Sequence, residues 1–491
     1  MIQEYLEQID AVIRSGKYKA DWESLANHKT PAWYTEGKLG IFIHWGIYSV
    51  PAHSNEWYSR HMYLPGHEEY EYHRKTYGEQ KDFGYKDFIP SFTGEKFSAD
   101  AWVSLFKKAG ARFVMPVAEH HDGFAMYDTA FNRWNAKNMG PCRNVVGEIK
   151  AACEREGLQF CASTHRAEHY FFMNSGRGYE SDVNDPAYAD FYGPAVSHPE
   201  LDGDAIFTTT NDAFTASADK EWMEDWLVRC CELIDRYRPK ILYFDWWIHN
   251  KGFKPYLKKL AAYYYNRAEE WGEEVTINYK HEAFPPTVAT FDVERGALTG
   301  ISPSPWQTDT AIGKNSWGYC KENEYKNSRQ IICDLTDIVS KNGMLLLNIG
   351  PKPDGTITEE ETKVLLDLGK WLEVNGEGIY GTTCWKQFGE GNVNNAAGEF
   401  MDGDEKQFTE NDFRFTYKNG CVYAFQMRPG GKSITIHAMR RKGTHDFLIE
   451  NIELLGKGKI ASAERTAQAL QITLAEEPEG DLPICFKIEI S

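Results

Sequence analysis

The chain has 491 residues, 42% hydrophobic and 26% charged, with a formal net charge of -18. That length exceeds one ordinary domain and suits a barrel with an accessory domain, while the acidic surplus repels phosphate backbones and argues against nucleic acid as a partner. No run of ~18 apolar residues and no long basic stretch occurs, so neither a membrane span nor docking on an anionic membrane is expected.

The N-terminal stretch MIQEYLEQIDAVIRSGKYKADW carries charges throughout and lacks the apolar segment of a signal peptide. The 10 cysteines are scattered without metal-like or disulfide-like spacing, which points to a reduced, cytoplasmic compartment. From residue 38 to about 376, short apolar runs alternate with helical patterns. Strands are predicted at Leu39–Tyr48, Phe113–His120, Leu158–His165, Ile241–Trp246, Val275–Tyr279, Val288–Val293, near Trp306, and at Met344–Ile349. Runs such as FVMPVA, KILYF and GMLLLNIG are apolar on both faces, as in a parallel sheet. Between them lie amphipathic helices. One is capped by Ser98 and closed by Gly110, one is closed by Gly157, one stops before Pro239, and one is capped by Thr358 with acidic residues in its first turn. The alternation predicts a (β/α)8-type barrel over residues 1–380, with a doubly wound open sheet as the alternative. After Tyr380 the helical period gives way to strand alternation, with a Lys-Asn-Gly turn at 418–420. Residues 381–491 are therefore expected to form an antiparallel β-sandwich.

Barrels of this type place their working groups where strands run into loops. The strand ends are His44-Trp45-Gly46, Glu119-His120-His121-Asp122, Ser163-Thr164-His165, Asp245-Trp246-Trp247, Asn278 with Lys280 and His281, and Asp292-Val293-Glu294. Asp245 follows an apolar run and precedes two tryptophans, where a carboxylate is costly unless it is used or paired. It reads either as a nucleophile that attacks an anomeric carbon or as a buried structural Asp. Glycoside hydrolysis needs a second carboxyl group, for which Glu294, Glu56 and Glu119 are the candidates. His120 and His121 are adjacent, and adjacent strand residues point to opposite faces. No further spacing completes a metal site, so no metal is expected, and hydroxyl recognition is the better functional reading of these imidazoles. His165, at the third strand end, joins the same substrate-binding set. KPDGTI lacks the glycines and ending of a phosphate loop, and no G-x-G-x-x-G opens a helix, so no cofactor is expected. Aromatic residues make up 14% of the chain, with 15 Trp and 27 Tyr, and their faces suit stacking on sugars as well as filling a core.

The motifs GKLGIFIHWGIYSVPA, EWY, AEHHDGFAMYD, ILYFDWW and NGMLLLNIGPKPDGTITEEE, with WLEVNGEGIYGT after them, occur in order between about 30 and 385. Together they closely resemble the α-L-fucosidases of glycoside hydrolase family 29. The resemblance implies a retaining exo-hydrolase that forms a covalent fucosyl-enzyme. It implies Asp245 as nucleophile and His44, His120, His121, Glu56 and Trp57 in the sugar pocket. It also implies Trp317 on the aromatic wall beside the sugar's methyl group, and Glu294 as acid/base with Glu56 as the fallback. Where relatives carry an Arg near the fifth strand, this chain has Lys280. The implied partner is a fucosylated oligosaccharide or glycoconjugate, and the sequence is compatible with a monomer or an oligomer. Two other functions fit the same residues. One is a fucose-binding protein that has lost turnover, and the other is a retaining glycosidase for a related sugar such as α-L-galactose.

Overall fold

A computed structural model describes residues 1–207, 218–394, 398–442, 446–456 and 458–491. Nine parallel strands form the first sheet: β1 (Leu39–Ile43), β2 (Phe113–Glu119), β3 (Gln159–Phe160), β4 (Ala162–Thr164), β5 (Ile241–Phe244), β6 (Thr276–Tyr279), β7 (Thr290–Glu294), β8 (Trp306–Ala311) and β9 (Gly343–Ile349). β3 and β4 are one strand interrupted at Cys161, and both pair with β2. β1 pairs with β2 on one side and β9 on the other, so the sheet closes into an eight-stranded barrel. That closure removes the open sheet as an alternative.

The strands are buried on both faces, and alternate residues take opposite sides. Phe42, Met115, Val117, Tyr243, Met344 and Leu346 fill the barrel interior. Their neighbours Ile41, Ile43, Val114, Leu242, Leu345 and Leu347 pack outward in the helical layer. Tyr34 closes the N-terminal end of the interior, and its hydroxyl donates to Gln307 Oε1 at 2.6 Å.

The helices begin and end where local chemistry dictates. Ala99–Lys108 is capped by the Ser98 hydroxyl. Val145–Glu156 ends on Gly157 in the left-handed conformation, and Glu359–Asn375 is capped by Thr358. The helix Lys220–Tyr237 starts at the Asp219 cap and ends at a left-handed Arg238, one residue before Pro239. Among the described residues, three further helices of 13 residues or more fall outside the predicted set: Ile2–Ser15, Lys254–Trp271 and Ser328–Ser340.

Beyond the barrel lie two antiparallel sheets. The five-stranded sheet holds β10 (Thr383–Glu390), β11 (Phe413–Lys418), β12 (Cys421–Gln426), β14 (Ile449–Leu454) and β17 (Ile484–Ile490). The three-stranded sheet holds β13 (Ser433–Ile436), β15 (Ile460–Arg465) and β16 (Leu470–Leu474). Asn419 and Gly420 both take positive φ, as a two-residue hairpin between β11 and β12 requires. β12 is buried on both faces. Val422 and Ala424 join Ile434, Ile472 and Phe486 in the sandwich core, whereas Tyr423 and Phe425 join the core of the barrel. Among the described residues, no helix is long and apolar enough to cross a membrane, and all 10 cysteines are free thiols.

Candidate active site

The side-chain alternation that fills the barrel also builds its mouth. Two residues beyond Phe42, Tyr243 and Leu346 come His44, Asp245 and Asn348. Two beyond Asn278 and Asp292 come Lys280 and Glu294. These inward positions sit at the C-terminal strand ends, where the apolar filling stops and polar groups converge. Nine of the residues singled out from the sequence (His44, Glu56, Trp57, His120, His121, His165, Asp245, Glu294 and Trp317) line one cavity of 430 Å³.

Lys280 is the hub of that cavity. Its Nζ lies 2.5 Å from Glu294 Oε2, 3.3 Å from Asp309 Oδ2 and 3.5 Å from Asp245 Oδ1. Burial opposes its charge, but Asp309, Glu294, Asp245 and Asp292 hold its pKa well above the ordinary lysine value. Legs of 3.5 and 2.5 Å from one nitrogen cap the separation of the Asp245 and Glu294 oxygens at 6.0 Å. The two carboxyls respond oppositely to these surroundings. Burial works against ionisation of Asp245, but the Lys280 charge and the contact with His165 outweigh it and hold the group well below the carboxylate range. Burial pushes Glu294 up to about 8. Lys280 opposes that shift, and the nearby charges of Asp245 and Asp309 add to it.

Burial favours the neutral form of three of the imidazoles. Burial drives His44 and His120 well below their usual range and His121 to about 3. Asn348 donates its amide to Trp317 O at 2.7 Å, so its oxygen accepts from His44 Nδ1, also at 2.7 Å. That bond places the ring proton on Nδ1 and leaves His44 Nε2 as an acceptor. His121 Nδ1 donates to the His165 carbonyl at 3.0 Å, which turns its Nε2 acceptor toward Asp245, 3.5 Å away. A sugar hydroxyl placed beside them can donate its single proton to one of these two acceptors. Glu56 Oε2 accepts from Ser316 Oγ at 3.0 Å and from the Trp317 amide at 2.9 Å, so Glu56 positions the Trp317 wall. The Trp317 ring stands 5.2 Å from His44.

Two expectations are corrected here. His120 and His121 do not face opposite sides; β2 ends at Glu119 and the chain bends, bringing the rings within 4.2 Å of each other in the same cavity. Glu119 is not a candidate acid. The register between β2 and β4 shifts after Val117, and Glu119 turns outward to Arg166 at 2.9 Å and Arg229 at 2.6 Å. The sequence reading missed Tyr243, Asp309, His61, Glu399 and Phe400 as lining residues. Alternation along β8 from Gln307 would have found Asp309. Nothing local marks Glu399 or Phe400, which arrive from the segment between β10 and β11. There the Phe400 amide donates to Glu294 O at 2.9 Å and the Met401 amide to Arg295 O at 2.8 Å.

The family model for alpha-L-fucosidase matches residues 5–377. The tissue alpha-L-fucosidase of Homo sapiens is 30% identical over 378 residues, covering 75% of this chain and 73% of that protein. Among solved structures, Thermotoga maritima alpha-fucosidase in complex with fucose is 29% identical, with a TM-score of 0.73, over 96% of this chain and all of that one. The same protein in complex with a mechanism-based inhibitor is 28% identical with a TM-score of 0.72, at the same coverage.

Proposed function

The chain belongs to the alpha-L-fucosidase family and is a glycoside hydrolase, and from that premise we propose that it releases α-L-fucose with retention of configuration through a fucosyl ester on Asp245. The observation that carries this reading is the ceiling of 6.0 Å between the facing oxygens, Asp245 Oδ1 and Glu294 Oε2, set by their shared lysine. Retaining glycosidases hold their two carboxyls about 5–5.5 Å apart, whereas inverting ones leave about 6.5–9.5 Å for a water. The opposite ionisation of the pair supports the same assignment, because a nucleophile must be charged and an acid must hold its proton.

In the first step an Asp245 oxygen attacks the anomeric carbon while the bond to the leaving oxygen breaks. Glu294 gives that oxygen its proton and becomes a carboxylate. In the second step Glu294 takes a proton from water as the water oxygen attacks the same carbon. The ester bond breaks and Asp245 leaves as carboxylate. His44, His120, His121 and His165 bind the sugar hydroxyls, and Trp57 and Trp317 enclose the ring. The relative solved with fucose supports this choice of sugar.

Proton NMR of aryl α-L-fucoside hydrolysis tests the stereochemistry: α-L-fucose should appear first, and β-L-fucose appearing first would overturn retention. Asp245→Gly should remain folded and lose at least ~10³-fold in kcat/KM, since no covalent step remains. A folded variant keeping a tenth of the activity removes Asp245 from the role.

A further inference from the structure

Beside the sugar cavity, and separate from its carboxyl pair, a second cluster gathers on the loop that follows Glu56 and Trp57. His61 ends the short helix Tyr58–His61. Leu64-Pro65-Gly66-His67 then reverses the chain. The His67 amide donates to Leu64 O at 3.1 Å, and Gly66 sits at φ 95°. Pro at the second position and a positive-φ Gly at the third define a type II turn, which is stiff. The turn returns His67 over His61, with ring centroids 4.8 Å apart. Glu69, in the first turn of the helix Glu68–Thr76, reaches the same point.

One nitrogen of each ring and one Glu69 oxygen lie within 4.8 Å of one another. His61 Nδ1 is 3.5 Å from Glu69 Oε1, and His67 Nδ1 is 3.8 Å from Glu69 Oε2. These separations are long for hydrogen bonds. They approach the spacing of two ligands on one tetrahedral ion, about 3.4 Å for bonds of about 2.1 Å. His61 Nδ1 is buried and makes no hydrogen bond. The other nitrogen of His67 lies 3.4 Å from Asp204 Oδ2, the place of the carboxylate that orients a metal-bound imidazole from behind. The Ser54 hydroxyl fixes Glu69 Oε1 from 2.6 Å.

We propose that His61, His67 and Glu69 bind one divalent transition-metal ion of the zinc class, with Asp204 orienting His67 and the open coordination position left to water. Two imidazoles and one carboxylate form a donor set suited to zinc, and three protein ligands are the usual number where a position stays open. The ion would clamp the loop that carries Glu56 and Trp57, and His61 itself lines the sugar cavity. Metal occupancy should therefore alter sugar binding more than turnover.

Titration of the chelator-treated whole chain with Zn²⁺ by calorimetry, and with Co²⁺ by visible absorption, tests the site. Both should give one equivalent, and saturating Zn²⁺ should raise the thermal midpoint by roughly 1–3 °C. His67→Ala and the near-isosteric Glu69→Gln should each weaken Zn²⁺ binding at least 10-fold, the range expected for loss of a ligand or its support. The metal-free midpoints of the two variants, compared with that of the metal-free wild type, report their folding. Absence of binding by the wild type at 100-fold excess Zn²⁺ overturns the proposal. So does unchanged affinity in both variants, and so does binding that L-fucose abolishes and the variants do not, which would put the ion on His44, His120 and His165 instead.

Discussion

Asp245 keeps its charge at the barrel mouth because Lys280 and His165 face it; Glu294, bonded to the same lysine, is driven toward its protonated form. A general acid works only while it holds its proton. Since burial raises Glu294 to about 8, kcat/KM should be level between the acidic limb and that pH and fall about tenfold per unit above it. Glu294→Ala should remove this basic limb. It should suffer most on substrates with poor leaving groups and recover turnover with azide, giving β-fucosyl azide. Azide rescue of Glu56→Ala alone would falsify the assignment and move the acid to Glu56. Lys280 sets the other limb. Replacing it with Met takes a cation from beside Asp245, so the carboxyl should ionise at higher pH. The acidic limb of the profile should then shift upward. An unmoved acidic limb in a folded Lys280→Met protein would mean that the His165 contact suffices to hold Asp245 charged.

The segment between β10 and β11 leaves the sandwich and returns to the barrel. Gly398 bridges Ala297 in antiparallel fashion, and the next residues bond the backbone of Glu294 and Arg295. This brings Phe400 to the lip of the sugar cavity, 64% exposed and at φ 55°. A bulky residue rarely takes that conformation without support from its surroundings. An exposed aromatic ring at the mouth of a sugar site offers a face to the unit that carries the fucose. Phe400→Ala should therefore raise KM several-fold for fucosylated oligosaccharides and leave small aryl fucosides within about twofold. Equal effects on both substrate types would show that Phe400 shapes the pocket itself.

The barrel and the sandwich share a buried ionic joint. Asp337, on the barrel helix Ser328–Ser340, pairs with Arg414 of β11, and its other oxygen lies 2.8 Å from Lys341 Nζ. All three are buried, and burial opposes the Asp337 charge while Arg414 and Lys341 lower its pKa. Removing Asp337 would leave two cations facing each other without an anion. Asp337→Ala should destabilise the protein by about 3–5 kcal/mol, read from chemical denaturation; a loss under ~1 kcal/mol would mean that the joint relaxes into water. The two-faced burial of β12 couples the same units through apolar contact. Val422 and Ala424 look into the sandwich, and Tyr423 and Phe425 look onto the helical layer around the barrel.

The sequence by itself determined the periodic features. Apolar runs of strand length, Ser and Thr caps and the Asn-Gly hairpin are local, so the eight barrel strands, four of the helices and the β11–β12 turn were legible from it. Strand ends in a barrel converge on one face, which is why His44, His165, Asp245 and Glu294 could be gathered into one site from the residues alone. What only the tertiary structure decided depends on approach between distant segments. The bend after Glu119 turns both histidines inward because a register shift reverses the alternation there. The shared lysine separates the ionisation of Asp245 and Glu294 because their electrostatic surroundings arise only when four strand ends meet. Phe400 reaches the pocket across 106 residues of chain from Glu294 because backbone hydrogen bonding at β7 accepts any sequence that can extend beside it. Such bonding leaves no pattern in the side chains, so no reading of the residues alone could have found it.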